Sequence, residues 1–469
     1  MLLITEIRYR DPVAVCALWA DDPRLAFLDS AAAGDPRARY SYIGIAPFRV
    51  IEVIDGELRV DGEVVNADPF ATLDGLLRRY RSKEPAPVPF TGGAMGFLGY
   101  ELGRYIEQLP QRHPADGTPE MALGFYDLVI GFDVVARRAW VMSSGFPETD
   151  PGCRSTRAEA RLRACLDRVE TAASDPDPAP EVVSVPSASW RADLDRPAYG
   201  DRIRRILDHI RAGDIFQANF TMRFEAERPA DLDPFAAYRA LRRLSAGPFA
   251  AYLRCGEALT LASASPERFL SLGRDRRIEA RPIKGTRPRS AIVVEDRASR
   301  DELYGSEKDR AENLMIVDLI RNDIGRVAVT GSVAVPSLLA LESFASVHHL
   351  VSVVTAQLRP DLGPVDLLRA SFPGGSVTGA PKIRAMAVID ACEVSRRGAY
   401  CGAILWIGFD GAMDSSIVIR TLTLTPDRVI AQAGGGIVAD SDPIAEYDEL
   451  RVKLAPLLQV LGGRVEGED

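Results

Sequence analysis

Two Asp-Gly pairs stand close together in the chain, Asp55-Gly56 and Asp61-Gly62, and each follows a run suited to a strand, Arg49–Ile54 and then Glu57–Val60. Asp-Gly accepts the positive φ that a two-residue hairpin turn requires, so strand, Asp-Gly, strand is among the strongest short-range signals a sequence can carry. A tight hairpin joins only antiparallel neighbours. This stretch must therefore fold as an antiparallel meander. The runs 128–135 and 139–142 read as another such pair, and helical periodicity appears over 155–169.

Further along, long helices join the strands. Residues 197–212 form an amphipathic helix, with Pro197 in its first turn and Gly213 just past its end. A strand-like run at 259–263 precedes a helix over 308–324, and a last helix opens at Asp442-Pro443. Hairpins mixed with long helices predict an α+β fold, with antiparallel β-sheets packed in the centre and helices outside. Composition divides the chain into a strand-rich N-terminal lobe (1–170), a Pro/Asp/Ala linker (171–189) and a second domain (190–469).

Charge narrows the function. The net charge is −9 over 469 residues, and no basic run exists that would track phosphates, which excludes nucleic acid as a partner. An anionic substrate would have to be met locally, by Arg, Lys, backbone amides or a metal. Six cysteines without a C-x-x-C arrangement read as reduced structural thiols, and four histidines do not supply a Cys/His zinc site. The opening Met1-Leu2-Leu3-Ile4-Thr5-Glu6 lacks the charged n-region of a signal peptide, and no apolar run reaches membrane-spanning length, so the cytoplasm is expected.

Several constellations carry chemistry. Lys284 lies between Pro282 and Gly285, where the chain has little freedom. It is either an ordinary turn lysine or a nucleophile, and a nucleophile needs a pocket dry or cationic enough to keep the amine neutral. On the last helix Glu446, Glu449 and Lys453 share one face, while Ile444, Tyr447, Leu450, Leu454, Leu457 and Leu461 take the other. The charged face is either solvated, with a Glu449–Lys453 pair, or a pair of ligands for a hard cation with an ammonium beside it. Glu312 opens the apolar stripe of the 308–324 helix. Carboxylates from these two helices, together with a substrate carboxylate, would suit the octahedral oxygen shell of Mg²⁺. Gly434-Gly435-Gly436, after a strand, reads as an anion-binding turn or as a bulge or tight bend. The run from Phe372 to Lys382 combines glycines, two hydroxyls and a helix start, which favours an anion site. Its spacing is not that of a P-loop, and no G-x-S-x-G or G-x-G-x-x-G motif occurs.

In this order, these segments resemble the chorismate-utilising enzymes, a family that includes anthranilate, aminodeoxychorismate, isochorismate and salicylate synthases. The resemblance rests on Gly213 to Phe220, Ser263 to Phe269, Arg281 to Arg287, Ala311 to Asp323, His348 to Ser352, Phe372 to Lys382, Arg397 to Ala403 and Gln432 to Lys453. It is looser in the N-terminal third, at Leu28-Asp29-Ser30 and at Arg39 to Gly44. Water-adding members carry a lysine base where this chain has Gln217. Anthranilate-forming members typically carry alanine where it has Lys284. Both positions are similar to the aminodeoxychorismate-forming branch, with anthranilate formation as the alternative.

The resemblance implies a Mg²⁺-dependent amination of chorismate by ammonia to 4-amino-4-deoxychorismate, through a covalent adduct on Lys284. Glu267 matches the general acid for the leaving hydroxyl. Glu312, Glu446 and Glu449 match metal ligands. Gly285, Thr286, Ser376, Thr378, Tyr400, Arg420, Gly434, Gly436 and Lys453 match substrate-binding positions, and His349 and Gln217 match polar positions at the reacting ring. The sequence holds no Gly-x-Cys-x-Gly elbow, so a glutamine amidotransferase subunit is expected as a separate chain. The N-terminal lobe is where the resemblance puts a tryptophan or other regulatory site.

Overall fold

The computed structural model describes residues 2–172, 189–344 and 347–465. Most of the expected linker, 173–188, lies outside the described residues.

Two large sheets form the middle of the molecule, one of thirteen strands and one of twelve. Their pairings are antiparallel, apart from a parallel contact between Ser189–Ala192 and Arg464–Val465. One apolar layer lies between the sheets and is made by Tyr42, Phe97, Trp140, Leu261, Ile404 and Trp406. Helices cover the outer faces: Arg196–Arg211 and Pro443–Val460 pack in one outer core, and Pro69–Arg79, Glu307–Gly325 and Pro364–Ser371 in the other. This is the α+β arrangement that the hairpin and helix signals predict. The Asp-Gly meander forms as expected, with Arg49–Ile54 paired to Glu57–Val60 and that strand paired to Glu63–Val64. Strands of the N-terminal third are woven into both sheets, Ala26–Asp29 beside Phe249–Cys255 and Gly93–Leu98 beside Ala403–Gly408.

Four elements position the candidate site. The strand Gln217–Glu227 runs beside Arg428–Ile437 in unbroken register, from Ala218 opposite Ile437 to Glu227 opposite Arg428. The strand Ile283–Pro288 runs beside Val347–Gln357. The helix Glu307–Gly325 starts where Ser306 Oγ accepts the Asp309 amide at 3.2 Å. The helix Pro443–Val460 starts where Asp442 accepts the amides of Ile444 and Ala445, both at 3.0 Å, with proline at its first position.

Two expectations change here. Gly434, Gly435 and Gly436 lie inside the strand Arg428–Ile437, not after it, and in regular register they form neither a turn nor a bulge. They give clearance, because a Cβ on Gly436 would collide with Gln217 and Glu312. The last helix also turns differently from its periodicity. Ile444 is 62 % exposed, whereas Glu446 is 4 % exposed. The first helical turn overhangs the glycine strand, and the missing side chains there admit a carboxylate in place of an apolar group.

Candidate active site

Lys284 sits at a break in register. Its strand slips against Val347–Gln357 between Ile283 and Thr286, and Gly285 has φ +80°. A bulge of this kind re-aims a side chain. Positive φ suits glycine, and a Cβ at Gly285 would press against Leu303 and Asp309. The Lys284 ammonium reaches Glu312 Oε1 at 2.7 Å and the Ser376 carbonyl at 3.3 Å, and its side chain is 12 % exposed.

The same Glu312 oxygen accepts a bond from Gln217 Nε2 at 2.7 Å. A carboxylate only accepts, so the amide nitrogen must face it. That leaves Gln217 Oε1 as a buried acceptor with no partner among the described residues. Buried polar atoms are nearly always satisfied, so an orphan at a reactive centre points to a donor brought by a ligand.

Burial pushes the Lys284 pKa down, but the Glu312 carboxylate, helped by Glu267 and Glu449, overrides it and holds the pKa above the ordinary lysine value. The pocket is therefore dry but anionic, and Lys284 rests as an ammonium rather than as the neutral amine a nucleophile must become. Glu267 shows the opposite balance. Burial raises its pKa against the Lys284 charge, a bond from Ser376 and a bond from the Ile283 amide, which favours the protonated acid. His349 shares a 2.9 Å hydrogen bond with Thr286 Oγ1 and lies beside Phe344. Burial, then the Arg37 guanidinium, lowers its pKa to about 4, so its imidazole is neutral at pH 7.

The carboxylates of the two helices meet around the glycine strand. A Cβ at Gly435 would lie 3.2 Å from Glu446 Oε2 and 3.5 Å from Lys453 Nζ, and one at Gly436 would strike Glu312. Each acid is matched by an ammonium: Glu312 by Lys284, Glu446 by Lys308 at 3.0 Å, and Glu449 by Lys453 at 2.8 Å. Among the described residues no three acidic, histidine or cysteine side chains close on one point as they stand. The donor set is all oxygen, which is the chemistry Mg²⁺ takes, and the glycine cradle leaves the acids unobstructed.

The far end of the site holds a buried cation. Arg420 is held by a hydrogen bond to the Lys453 carbonyl, and among the described residues no carboxylate pairs with it. Burial lowers its pKa, opposed by Tyr400, whose own hydroxyl is pushed up by burial. Lys453 Nζ donates to the Gly434 carbonyl at 2.9 Å, which ties the last helix to the glycine strand. The Phe372–Lys382 run contributes Ser376, whose carbonyl meets Lys284. Thr378 is turned inward, its hydroxyl spent on the Gly374 carbonyl at 3.0 Å.

Sequence reasoning missed the supports. Arg397 donates to the carbonyls of Val377 at 2.8 Å and Asn219 at 2.5 Å, clamping the Ser376 loop to the strand that carries Gln217. Lys382 ties the end of that loop to Asp323 of the acidic helix. Ser352 and Asn313 bond side chain to side chain at 2.6 Å, and the Ser352 amide meets the Pro282 carbonyl, which locks Glu312 and Lys284 into one frame. Their signal was proximity to a motif residue, Asn313 beside Glu312 and Arg397 within the Tyr400 segment.

A separate cavity of about 660 Å³ lies between the sheets, lined by Leu28, Asp29, Ser30, Tyr42 and Trp406. Asp29 is spent on Tyr238 at 2.8 Å and Arg242 at 2.5 Å. Arg37 also lines this cavity while its charge reaches His349 and Glu267, so the two regions adjoin.

Residues 26–459 match the family described as chorismate binding enzyme. The aminodeoxychorismate synthase component 1 of Klebsiella aerogenes is 44% identical, covering 94% of each chain. The anthranilate synthase component 1 of Thermus thermophilus is 38% identical, covering 96% of this chain and 95% of its own. The crystal structure of anthranilate synthase component I from Streptococcus pneumoniae superposes with a TM-score of 0.78 at 33% identity, covering 90% of this chain and 92% of that one.

Proposed function

The chain belongs to the chorismate binding enzyme family, and from that premise we propose that it aminates chorismate with ammonia to 4-amino-4-deoxychorismate, in the para-aminobenzoate branch of folate synthesis. One observation carries this over anthranilate formation: a buried lysine, Lys284, points its amine into the centre of the site.

Chorismate is a dianion. Arg420, with Tyr400 and Lys453 beside it, takes one carboxylate through charge-assisted hydrogen bonds. Glu312, Glu446 and Glu449 are the residues that would hold Mg²⁺, which when bound supplies positive charge to the ring carboxylate. Once Glu312 no longer faces it as a free charge, burial favours the neutral amine, and Lys284 passes its proton to solvent water before the ring is attacked. The amine bonds to ring carbon 2 while the bond from carbon 4 to its hydroxyl breaks. Glu267 donates the proton that lets this hydroxyl leave as water, typically a ~10²–10⁴-fold contribution. Ammonia then bonds to carbon 4 and Lys284 leaves, so one difficult substitution becomes two easier ones. Gln217 Oε1 accepts a hydrogen bond from the incoming ammonia, which answers its unpartnered state. Neutral His349, fixed by Thr286, stands at the ring as a polar contact that adds no charge.

Ammonia comes from a separate glutamine amidotransferase chain. The unpaired cysteines, among them five buried thiols, suit the cytoplasm, and among the described residues no helix is long and apolar enough to cross a membrane. The cavity beside Leu28 to Ser30 is where an effector such as tryptophan would act. The direct test is chorismate, Mg²⁺ and ammonium with the purified chain. The product should keep its enolpyruvyl group by mass and show no anthranilate fluorescence. Fluorescent anthranilate would instead assign the chain to the anthranilate branch.

A further inference from the structure

Lys308 lies one helical turn before Glu312, a spacing that ordinarily pairs two such side chains on one helix. The structure sends it across to the other helix instead, to Glu446 Oε1 at 3.0 Å. The pair is lopsided: the Glu446 side chain is 3 % exposed and that of Lys308 is 41 %. Glu446 Oε1 also accepts Ser441 Oγ at 2.6 Å, while Oε2 faces the glycine strand. A buried carboxylate needs a compensating charge, and Lys308 supplies it from the solvent side on a long flexible stem. Glu449 and Glu312 also act on the Lys308 ammonium.

The three ammonium groups of the cluster are not equivalent. Lys284 also bonds the Ser376 carbonyl, and Lys453 also bonds the Gly434 carbonyl. Among the described residues Lys308 bonds only Glu446. Its head is the easiest to return to water, where an ammonium is strongly hydrated.

We infer that Lys308 is a resident counter-cation of the carboxylate cluster, which a divalent ion must displace from Glu446, so that this side chain sets the metal affinity of the site. The inference rests on the metal role proposed above for Glu312, Glu446 and Glu449. Lys308 holds Glu446 in place when no metal is bound. It leaves when a doubly charged ion offers Glu446 more than one ammonium can.

The test is Mg²⁺ binding to the full chain without chorismate, by isothermal titration calorimetry, with Mn²⁺ paramagnetic resonance as a second readout. Lys308→Met should bind Mg²⁺ about tenfold tighter, between the worth of an exposed ion pair and that of a buried one. Lys308→Arg, which keeps the charge, should stay near wild type. Lys308→Met should also melt lower without metal and gain more from Mg²⁺ than wild type does. If Lys308→Met does not fold, Lys308→Gln should show the same tightening. Binding by the neutral variants that equals or falls below wild type overturns the inference and leaves the metal role standing. Absence of binding in wild type and variants alike removes the metal role and the inference with it. Binding in a neutral variant alone supports the inference most strongly.

Discussion

The two ends of the site are built on opposite principles. At the carboxylate end every acid of the cluster has a cation: Glu312 has Lys284, Glu446 has Lys308, and Glu449 has Lys453, which reaches in from the arginine end. At the arginine end a buried guanidinium has no carboxylate partner among the described residues, and burial lowers its pKa. An end whose charges are already neutralised must rearrange before it can react. An end with an uncompensated buried cation is ready for an anion as it stands. On the proposed function the difference separates the reacting machinery from the anchor, and mutations at the two ends should therefore separate kcat from KM.

The largest effect is expected at Glu267. Glu267→Gln removes the proton donor and should lower kcat by ~10²–10⁴-fold with KM little changed. A matching rise in KM would mean that Glu267 binds rather than donates. Next comes Arg420→Met, which removes a charge-assisted anchor of about 1.5–3 kcal/mol and should raise KM on the order of 10–100-fold with a smaller change in kcat. If kcat falls instead, the contrast between the two ends fails. A smaller change is expected from Gly435→Ala, whose Cβ would press Glu446 Oε2 at 3.2 Å. Mg²⁺ affinity should drop a few-fold while the fold persists, as read by calorimetry and circular dichroism.

The smallest effect at neutral pH concerns His349. Its folded pKa, about 4, lies below the ordinary histidine value of 6.5. Between those values the unfolded chain binds the proton and the folded chain does not, so stability falls as pH drops through that window. The stability is fully present above pH 6.5, and the total loss is on the order of 3 kcal/mol. His349→Asn should flatten this part of the pH–stability curve in urea melts and leave it unchanged at pH 8.

Much of this was legible in the sequence. The Asp-Gly hairpins gave antiparallel sheets because the turn residues dictate their geometry locally. Lys284 stood out between Pro282 and Gly285 and Glu312 at the head of an apolar stripe, while Gln217 and Glu267 stood out only through the family resemblance. What sequence could not carry was the meeting of elements. Helical periodicity put Ile444 on the apolar face and left Glu446 either solvated or a cation ligand, because it knows nothing of the strand beside the helix. Gly434 to Gly436 looked like a turn because their use depends on side chains arriving from Gln217 and two helices. The charge state of Lys284 could not be read from its own segment. A dry pocket alone would lower its pKa, but the carboxylates of three separate segments converge on it. Lys308 was invisible for the same reason, since its partner lies on the other helix.

The measurement closest to the centre of this picture is intact and peptide mass analysis of the chain incubated with chorismate and Mg²⁺ but no ammonia. The peptide carrying Lys284 should gain the mass of chorismate less one water, the gain should disappear on adding ammonium, and Lys284→Ala should never show it. No trapped adduct, together with an unchanged product and rate in Lys284→Ala, would mean that the lysine at the bulge is not the nucleophile.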